Sequence, residues 1–140
     1  LAATVGEVVE TYAAASPSGV QVRYAPEDGA LAARFDARLL RRALRNLMEN
    51  ALRASAGRGE VEVRLERRDG AALITVADRG PGVPPELLQR IFDPYFSTHD
   101  TGTGLGLPIT RRIVEEHGGS IAAKNRTGGG LEVVIMMPLG

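Results

Sequence analysis

The sequence contains no cysteine, which excludes a disulfide framework and a thiolate metal site and fits a reducing compartment. No charge of one sign dominates either. Seventeen basic and seventeen acidic residues cancel, so no global field draws the chain toward nucleic acid or anionic lipid. No run approaches the roughly 20 apolar residues that span a bilayer, so membrane insertion of this segment is not expected. Internal repeats, low-complexity tracts and a signal-peptide pattern are also missing. The chain opens inside a helix-like pattern and reads as part of something longer. Its 140 residues, 44% hydrophobic and 24% charged, are expected to form one domain over 1–140 with a real core.

What is present centres on residues 98–107, Thr-His-Asp-Thr-Gly-Thr-Gly-Leu-Gly-Leu. Gly102, Gly104 and Gly106 leave a backbone with no Cβ to block close approach. An amphipathic helix follows, with Leu105, Ile109, Ile113 and Val114 at helical spacing and Gly118-Gly119 as its stop. Exposed amides feeding a helix N-terminus make an anion site, and phosphate is the usual anion. The stretch is not the dinucleotide fingerprint, because its third glycine comes one residue early and Phe92-Asp93-Pro94-Tyr95 is no strand. It is not a P-loop, since no Gly-Lys-Ser/Thr follows. A mobile loop without ligand fits this stretch equally well when it is taken alone.

Upstream, residues 4 to about 15 read as a helix with Val5, Val8, Val9, Tyr12 and Ala13 on one face, broken by Ser16-Pro17-Ser18-Gly19. Val20, Val22 and Tyr24 alternate as a half-buried strand. Pro26 to Gly29 is a turn, and Leu31 to Phe35 a second short edge strand. Asp36 caps a long helix running to about Ser55, with Leu40, Leu44, Leu47, Met48 and Ala51 as its core stripe. Asn46 and Asn50, four apart, share one edge of that stripe, and Arg53 continues it. They are either solvated polar residues or amide oxygens beside a cation, facing a ligand and its metal ion.

Glu60 to Glu66 alternates as an antiparallel strand with one wet face, and Asp69-Gly70 turns it. Ala72, Ile74 and Val76 line one face of the return strand, and Asp78 continues that row. Such a carboxylate either ends the strand in solvent or floors an apolar pocket. Arg79-Gly80-Pro81-Gly82 follows, a sharp turn where something flat could lie on bare backbone. Pro84-Pro85-Glu86 opens a short helix to about Ile91. Residues 92–104 lack periodicity, as functional lids do. Ser120 to Asn125 is a strand, Thr127 to Gly130 a glycine turn, and Leu131 to Met137 a buried terminal strand.

In order along the chain stand Asn46-x-x-x-Asn50-Ala51, Asp78-x-Gly80-x-Gly82, Phe92-Asp93-Pro94-Tyr95-Phe96 and Gly102-Thr103-Gly104-Leu105-Gly106-Leu107. This constellation resembles the N, G1, F and G2 boxes of the catalytic ATP-binding domain of sensor histidine kinases. It covers essentially the whole chain, and Phe-Asp-Pro-Tyr-Phe-Ser-Thr is closest to the nitrogen-regulation branch. The resemblance implies the Bergerat fold, an α+β two-layer sandwich whose mixed, mostly antiparallel sheet is covered on one face by helices. It implies ATP and Mg²⁺ as cofactors, with Asn46, Asn50 and Arg53 as the catalytic set. Asn50 would ligate the metal, and Asn46 and Arg53 would face the phosphates. Asp78 would accept from the adenine amine, with Gly80, Gly82 and Val83 beside the base. Phe92 and Phe96 would anchor the lid, and Ile91 would join the nucleotide-binding set. Thr98, His99, Gly102, Thr103, Gly104, Leu105, Gly106 and Leu107 would surround the triphosphate.

The departures are specific. Ala54 stands where the family usually carries a bulky stacking group, which implies weaker adenine stacking. His99 replaces a frequent lysine, and Leu131 a usual threonine. Neither His99 nor His117 lies in the His-Glu/Asp context of a phosphoacceptor, and a favourable helix dipole accounts for His117. The implied function is therefore delivery of the ATP γ-phosphate to a histidine on a separate upstream dimerisation and phosphoacceptor segment, and thence to a response regulator. The domain itself would be a cytoplasmic monomer. Two alternatives stand beside this. A gyrase-, repair- or chaperone-type ATPase would carry a glutamate where Asn46 stands, and Glu49 points about 100° away from Asn50. A nucleotide-sensing module would bind ATP without transferring it.

Overall fold

The computed structural model describes residues 2–15, 20–26, 35–54, 59–88, 90–93 and 106–138. Its elements run α1 (Ala2–Ala15), β1 (Val20–Pro26), α2 (Ala37–Ala54), β2 (Gly59–Arg68), β3 (Ala71–Ala77), α3 (Gly106–Glu116), β4 (Ser120–Asn125) and β5 (Leu131–Pro138). The five strands form one sheet in the order β1-β2-β3-β5-β4. β1 pairs with β2 in parallel, and every other pair is antiparallel. A parallel neighbour requires a crossover, and α2 is the helix between these two strands. The mixed, mostly antiparallel sheet expected from the sequence is the one observed.

Alternation along each strand builds the core. Leu65, Ile74, Ile135 and Ile121 are cross-strand partners in one continuous row, as are Val63, Val76, Val133 and Ala123. Most of these side chains are buried, with Ile121 and Ala123 packed against the cluster from its margin. The helices cover this face: α1 packs on α2 and β1, and α3 on β4 and β5. The opposite face carries charge. Arg64 reaches Glu132 at 2.5 Å and Glu62 at 3.0 Å, and Lys124 lies 3.7 Å from Glu132. Part-exposed pairs of this kind contribute roughly 0–1 kcal/mol each; here they mark the wet side.

The local signals explain the element ends. Asp69 and Gly70 both have positive φ, the backbone a two-residue type I′ hairpin demands. Asp36 Oδ1 accepts from the amides of Arg38 at 2.9 Å and Leu39 at 3.2 Å, an N-cap that starts α2 one residue later. Gly118 takes φ +76, and the amides of Gly118 and Gly119 reach back to the carbonyls of Glu115 and Val114. That is a Schellman stop for α3.

Four expectations change. The helix read from Pro84 to Ile91 is two 3₁₀ turns, Pro85–Leu87 and Arg90–Phe92. The backbone bonds run from Leu87 N to Pro84 O and from Leu88 N to Pro85 O, the i→i+3 pattern of a 3₁₀ turn. The terminal strand β5 is buried on one face only, with Met136 41% exposed, because it lies inside a sheet whose second face is open. In α3 the most deeply buried side chain is Thr110, with Ile109 only half-buried. Lastly, His117, expected only to sit favourably in the helix dipole, makes a long-range contact. Its Nε2 accepts from the Asp36 amide at 2.9 Å, and an amide can only donate. Its Nδ1 lies 2.7 Å from Ile113 O, so both ring nitrogens are engaged.

Phe35 precedes α2 outside any strand, and the rest of the expected edge strand, Leu31 to Arg34, lies outside the described residues.

Candidate functional site

α2 and α3 are fastened to each other at two levels. Besides the His117 bond to Asp36, Thr110 Oγ1 donates to Ala43 O at 3.4 Å in the core. From Asp36 to Ala43 is seven residues forward, and from His117 to Thr110 seven residues back. The helices are therefore antiparallel with matched rise, about 10 Å between the ties. Continuing that register brings Asn46 level with Leu107, in the first turn of α3. Both asparagines are half-buried and Arg53 is exposed. The C-terminal half of α2 and the N-terminus of α3 thus share one end of the helical layer. Gly106 is the first residue of α3, and Leu107 packs half-buried against the core.

The loop after β3 reaches the same end of α2. A Cβ on Gly80 would overlap the carbonyl oxygen of Ala54, the last residue of α2. Only a glycine lets the loop pass there. Asp78, 2% exposed, is the root of this loop. Its Oδ1 accepts from the Gly80 amide at 2.9 Å and the Leu131 amide at 3.1 Å, while its own amide donates to Leu131 O at 2.9 Å. The strand ladder therefore continues through Asp78, and two N–H groups fix the carboxylate. The row Ala72-Ile74-Val76-Asp78 floors a buried position, so the strand-terminating reading, in which the group lies in solvent, does not hold. The residue after the terminal glycines contributes its backbone to this arrangement, so leucine at 131 preserves that bond.

Gly82 takes φ +77, and a Cβ there would sit 2.7 Å from Asn125 Oδ1. Val83 is 9% exposed, and its backbone is bonded to Asn125. Ile91 and Phe92 are buried members of the central core. Phe96, Thr98, His99, Gly102, Thr103, Gly104 and Leu105 lie outside the described residues.

Sequence reading missed three participants. Asn125 reads as the end of a strand and Arg126 falls between that strand and the Thr127–Gly130 turn, yet both side chains reach the Asp78–Val83 loop. Gly130, read as an ordinary turn glycine, sits at φ +104 where a Cβ would overlap Asp78 O. A run of three glycines after an Asn-Arg pair was the available signal.

A buried carboxylate at a glycine-bordered loop, two asparagines on the adjoining helix and a helix N-terminus at the same end of the helical layer mark the candidate site of this α+β domain. The family model for histidine kinase-, DNA gyrase B- and HSP90-like ATPases matches residues 35–140, and the chain belongs to that family. It is 36% identical over 121 residues to the sensor histidine kinase ZraS of Salmonella typhimurium, a match covering 86% of this chain and 26% of that protein. The chain thus spans about a quarter of that relative's length. Its structure is similar to the nucleotide-free catalytic domain of histidine kinase ThkA, with a TM-score of 0.88 at 29% identity, covering 99% of this chain and 92% of that one. It is also similar to full-length ShkA in complex with AMPPNP, with a TM-score of 0.87 at 28% identity over 99% of this chain and 30% of that one. Among the described residues no helix is long and apolar enough to cross a membrane.

Proposed function

We propose that this chain is the ATP–Mg²⁺-binding catalytic domain of a two-component sensor histidine kinase. It would present the γ-phosphate to a histidine on a dimerisation segment that this sequence does not include. The observation that carries the reading is convergence: the Asn46/Asn50 edge, the Asp78–Val83 loop and the start of α3 meet at one end of the helical layer. The AMPPNP bound by the similar ShkA supports a nucleotide as the ligand.

The donor chemistry fits the cofactor pair. Among the described residues no three His, Cys, Asp or Glu side chains cluster as a metal site, so a cation here would rest on amide oxygen and on the ligand's own phosphates. Mg²⁺ takes oxygen ligands and is commonly held by few protein groups together with substrate phosphates. Asn50 would contact it, and Asn46 and Arg53 would face the phosphates. The bound metal would neutralise phosphate charge. The chain's own residues would do the rest: Asp78 orients the base, α3 offers its N-terminal amides, and the α2 edge aligns the triphosphate. Phosphoryl transfer asks for little beyond positioning and charge stabilisation.

Water hydrolysis is disfavoured because Asn46 occupies the position where the ATPase branches carry a base. Glu49 is exposed on another side of α2. Neither histidine suits an acceptor: His117 uses both ring nitrogens, one on each of two helices. Incubated with labelled ATP, the 140-residue chain should bind nucleotide and form no acid-labile phosphate. Supplying the upstream phosphoacceptor helices should restore labelling on them. Stoichiometric labelling of His99 or His117 in the isolated chain would overturn the proposal.

A second expectation separates the metal contact from a structural role. Asn50→Ala should weaken ATP binding roughly tenfold in Mg²⁺ and only slightly in EDTA, since one charge-assisted contact amounts to about 1.5–3 kcal/mol. Isothermal titration in both buffers measures it. Equal losses would assign Asn50 to the scaffold.

A further inference from the structure

Asn125 and Arg126 close the end of β4, yet the turn they begin needs neither side chain. Its backbone is already bonded, Arg126 N to Gly130 O at 2.8 Å and Gly129 N to Arg126 O at 3.2 Å. Both side chains leave their own turn and fasten a loop more than forty residues away. The Asn125 carboxamide takes both polar groups of one residue. Its Oδ1 accepts from Val83 N at 2.8 Å, and its Nδ2 donates to Val83 O at 2.6 Å. A side chain thus stands in for a missing strand along an irregular segment, which has no ladder of its own to satisfy it. Glycine at 82 is what lets Oδ1 come so close. At the other end of the loop, Arg126 Nη1 donates to Asp78 O at 3.0 Å. The two side chains therefore bracket Asp78 to Val83, gripping the main chain on either side of Gly80 and Gly82.

We infer that Asn125 and Arg126 are positioning residues that set base selectivity, touching the loop and not the nucleotide. This rests on the reading of Asp78 as the group that accepts from the adenine amine. A carboxylate distinguishes an amine from a carbonyl only while the backbone that the base lies on stays in register with it. Asp78 Oδ1 is fixed by Gly80 N and Leu131 N, so the carboxylate is tied to the start of the loop and to β5. The remaining freedom is at Val83, and Asn125 removes it. Loosening that end changes how the base seats. The triphosphate would lie at the asparagine edge of α2 and the N-terminus of α3, whereas the bonds of Asn125 and Arg126 run to Val83 and to Asp78 O.

The test uses the 140-residue chain with ATP, GTP and inorganic tripolyphosphate as probes, and Asp78→Asn as a companion. Asn125→Ala should weaken ATP binding about tenfold, as expected for two lost hydrogen bonds to part-buried groups. The ATP-over-GTP preference should fall by a similar factor, tripolyphosphate binding should stay within about twofold, and exchange of the Val83 amide should accelerate. If Asp78→Asn loses ATP while Asn125→Ala keeps both affinity and preference, the positioning role is wrong. A parallel loss of ATP and tripolyphosphate would also overturn it, since that is general loosening. If Asp78→Asn binds ATP normally, the base-site reading itself falls, and this inference with it. Should Asn125→Ala fail to fold, Arg126→Ala against Arg126→Lys decides. Lysine keeps a donor for Asp78 O and should recover the preference that alanine loses; equal preferences in the two variants would overturn the role of Arg126.

Discussion

Asp78→Asn should abolish most ATP binding while leaving the fold intact. The change is isosteric, and the retained side-chain oxygen can still accept from Gly80 N and Leu131 N, the two bonds that Oδ1 makes now. The backbone bond from residue 78 to Leu131 O does not involve the side chain. What changes is the second polar atom. An acceptor becomes an NH₂ group that would face the adenine amine, donor against donor. An unmade bond at a buried position costs roughly 1–3 kcal/mol, and the residue is 2% exposed, so solvent does little to soften the mismatch. Calorimetry should give a loss of about tenfold to a hundredfold, with an unchanged melting temperature. Unaltered affinity in the folded variant would remove Asp78 from the proposed site. A lowered melting temperature would show that the carboxylate holds the loop as well as the base.

The second large effect is structural. Gly130→Ala places a Cβ on a backbone with φ +104, and the new atom would overlap Asp78 O. The same residue accepts from Arg126 N at 2.8 Å, so it cannot move without opening the turn. Strain at such a φ is roughly 1–3 kcal/mol, and the overlap adds to it by pushing β5 from the segment that Leu131 bonds. Gly128 supplies the comparison. It also has positive φ, +91, but a Cβ there meets nothing within 4 Å. Gly128→Ala should show backbone strain alone, and Gly130→Ala strain plus displacement of Asp78. Thermal melts should rank wild type above Gly128→Ala above Gly130→Ala, with ATP affinity impaired chiefly in the last. Equal destabilisation by the two would mean that the approach to Asp78 O carries no weight.

These two residues also mark how far a sequence can be read. Asp78 was visible because strand alternation placed a carboxylate on an apolar row, though alternation could not say whether that row ended in water or in the interior. The choice depended on β5, which supplies the Leu131 amide from 53 positions away. Gly130 was visible only as a turn residue. Beyond its positive φ, its need for glycine comes from the carbonyl of Asp78, just past the end of β3, and no local pattern carries that. His117 is a similar case: the helix end suggested only a favourable dipole, and the Asp36 amide, 81 residues distant, bonds its ring.

The sequence by itself determined the elements and the faces they bury. The asparagine edge of α2, the alternation of β2 and β3, the hairpin at Asp69-Gly70 and the stop at Gly118-Gly119 all follow from short-range periodicity, steric allowance and capping. The order of its boxes was enough to place the chain in a family. Only the tertiary structure decided which residues secure the site. The antiparallel seating of α3 on α2, the passage of Gly80 over Ala54 O, and the grip of Asn125 and Arg126 on the loop below Asp78 join segments tens of residues apart. Hydrogen-bond partners and Cβ clearances of that kind exist only after the chain has packed, so no window of sequence holds them.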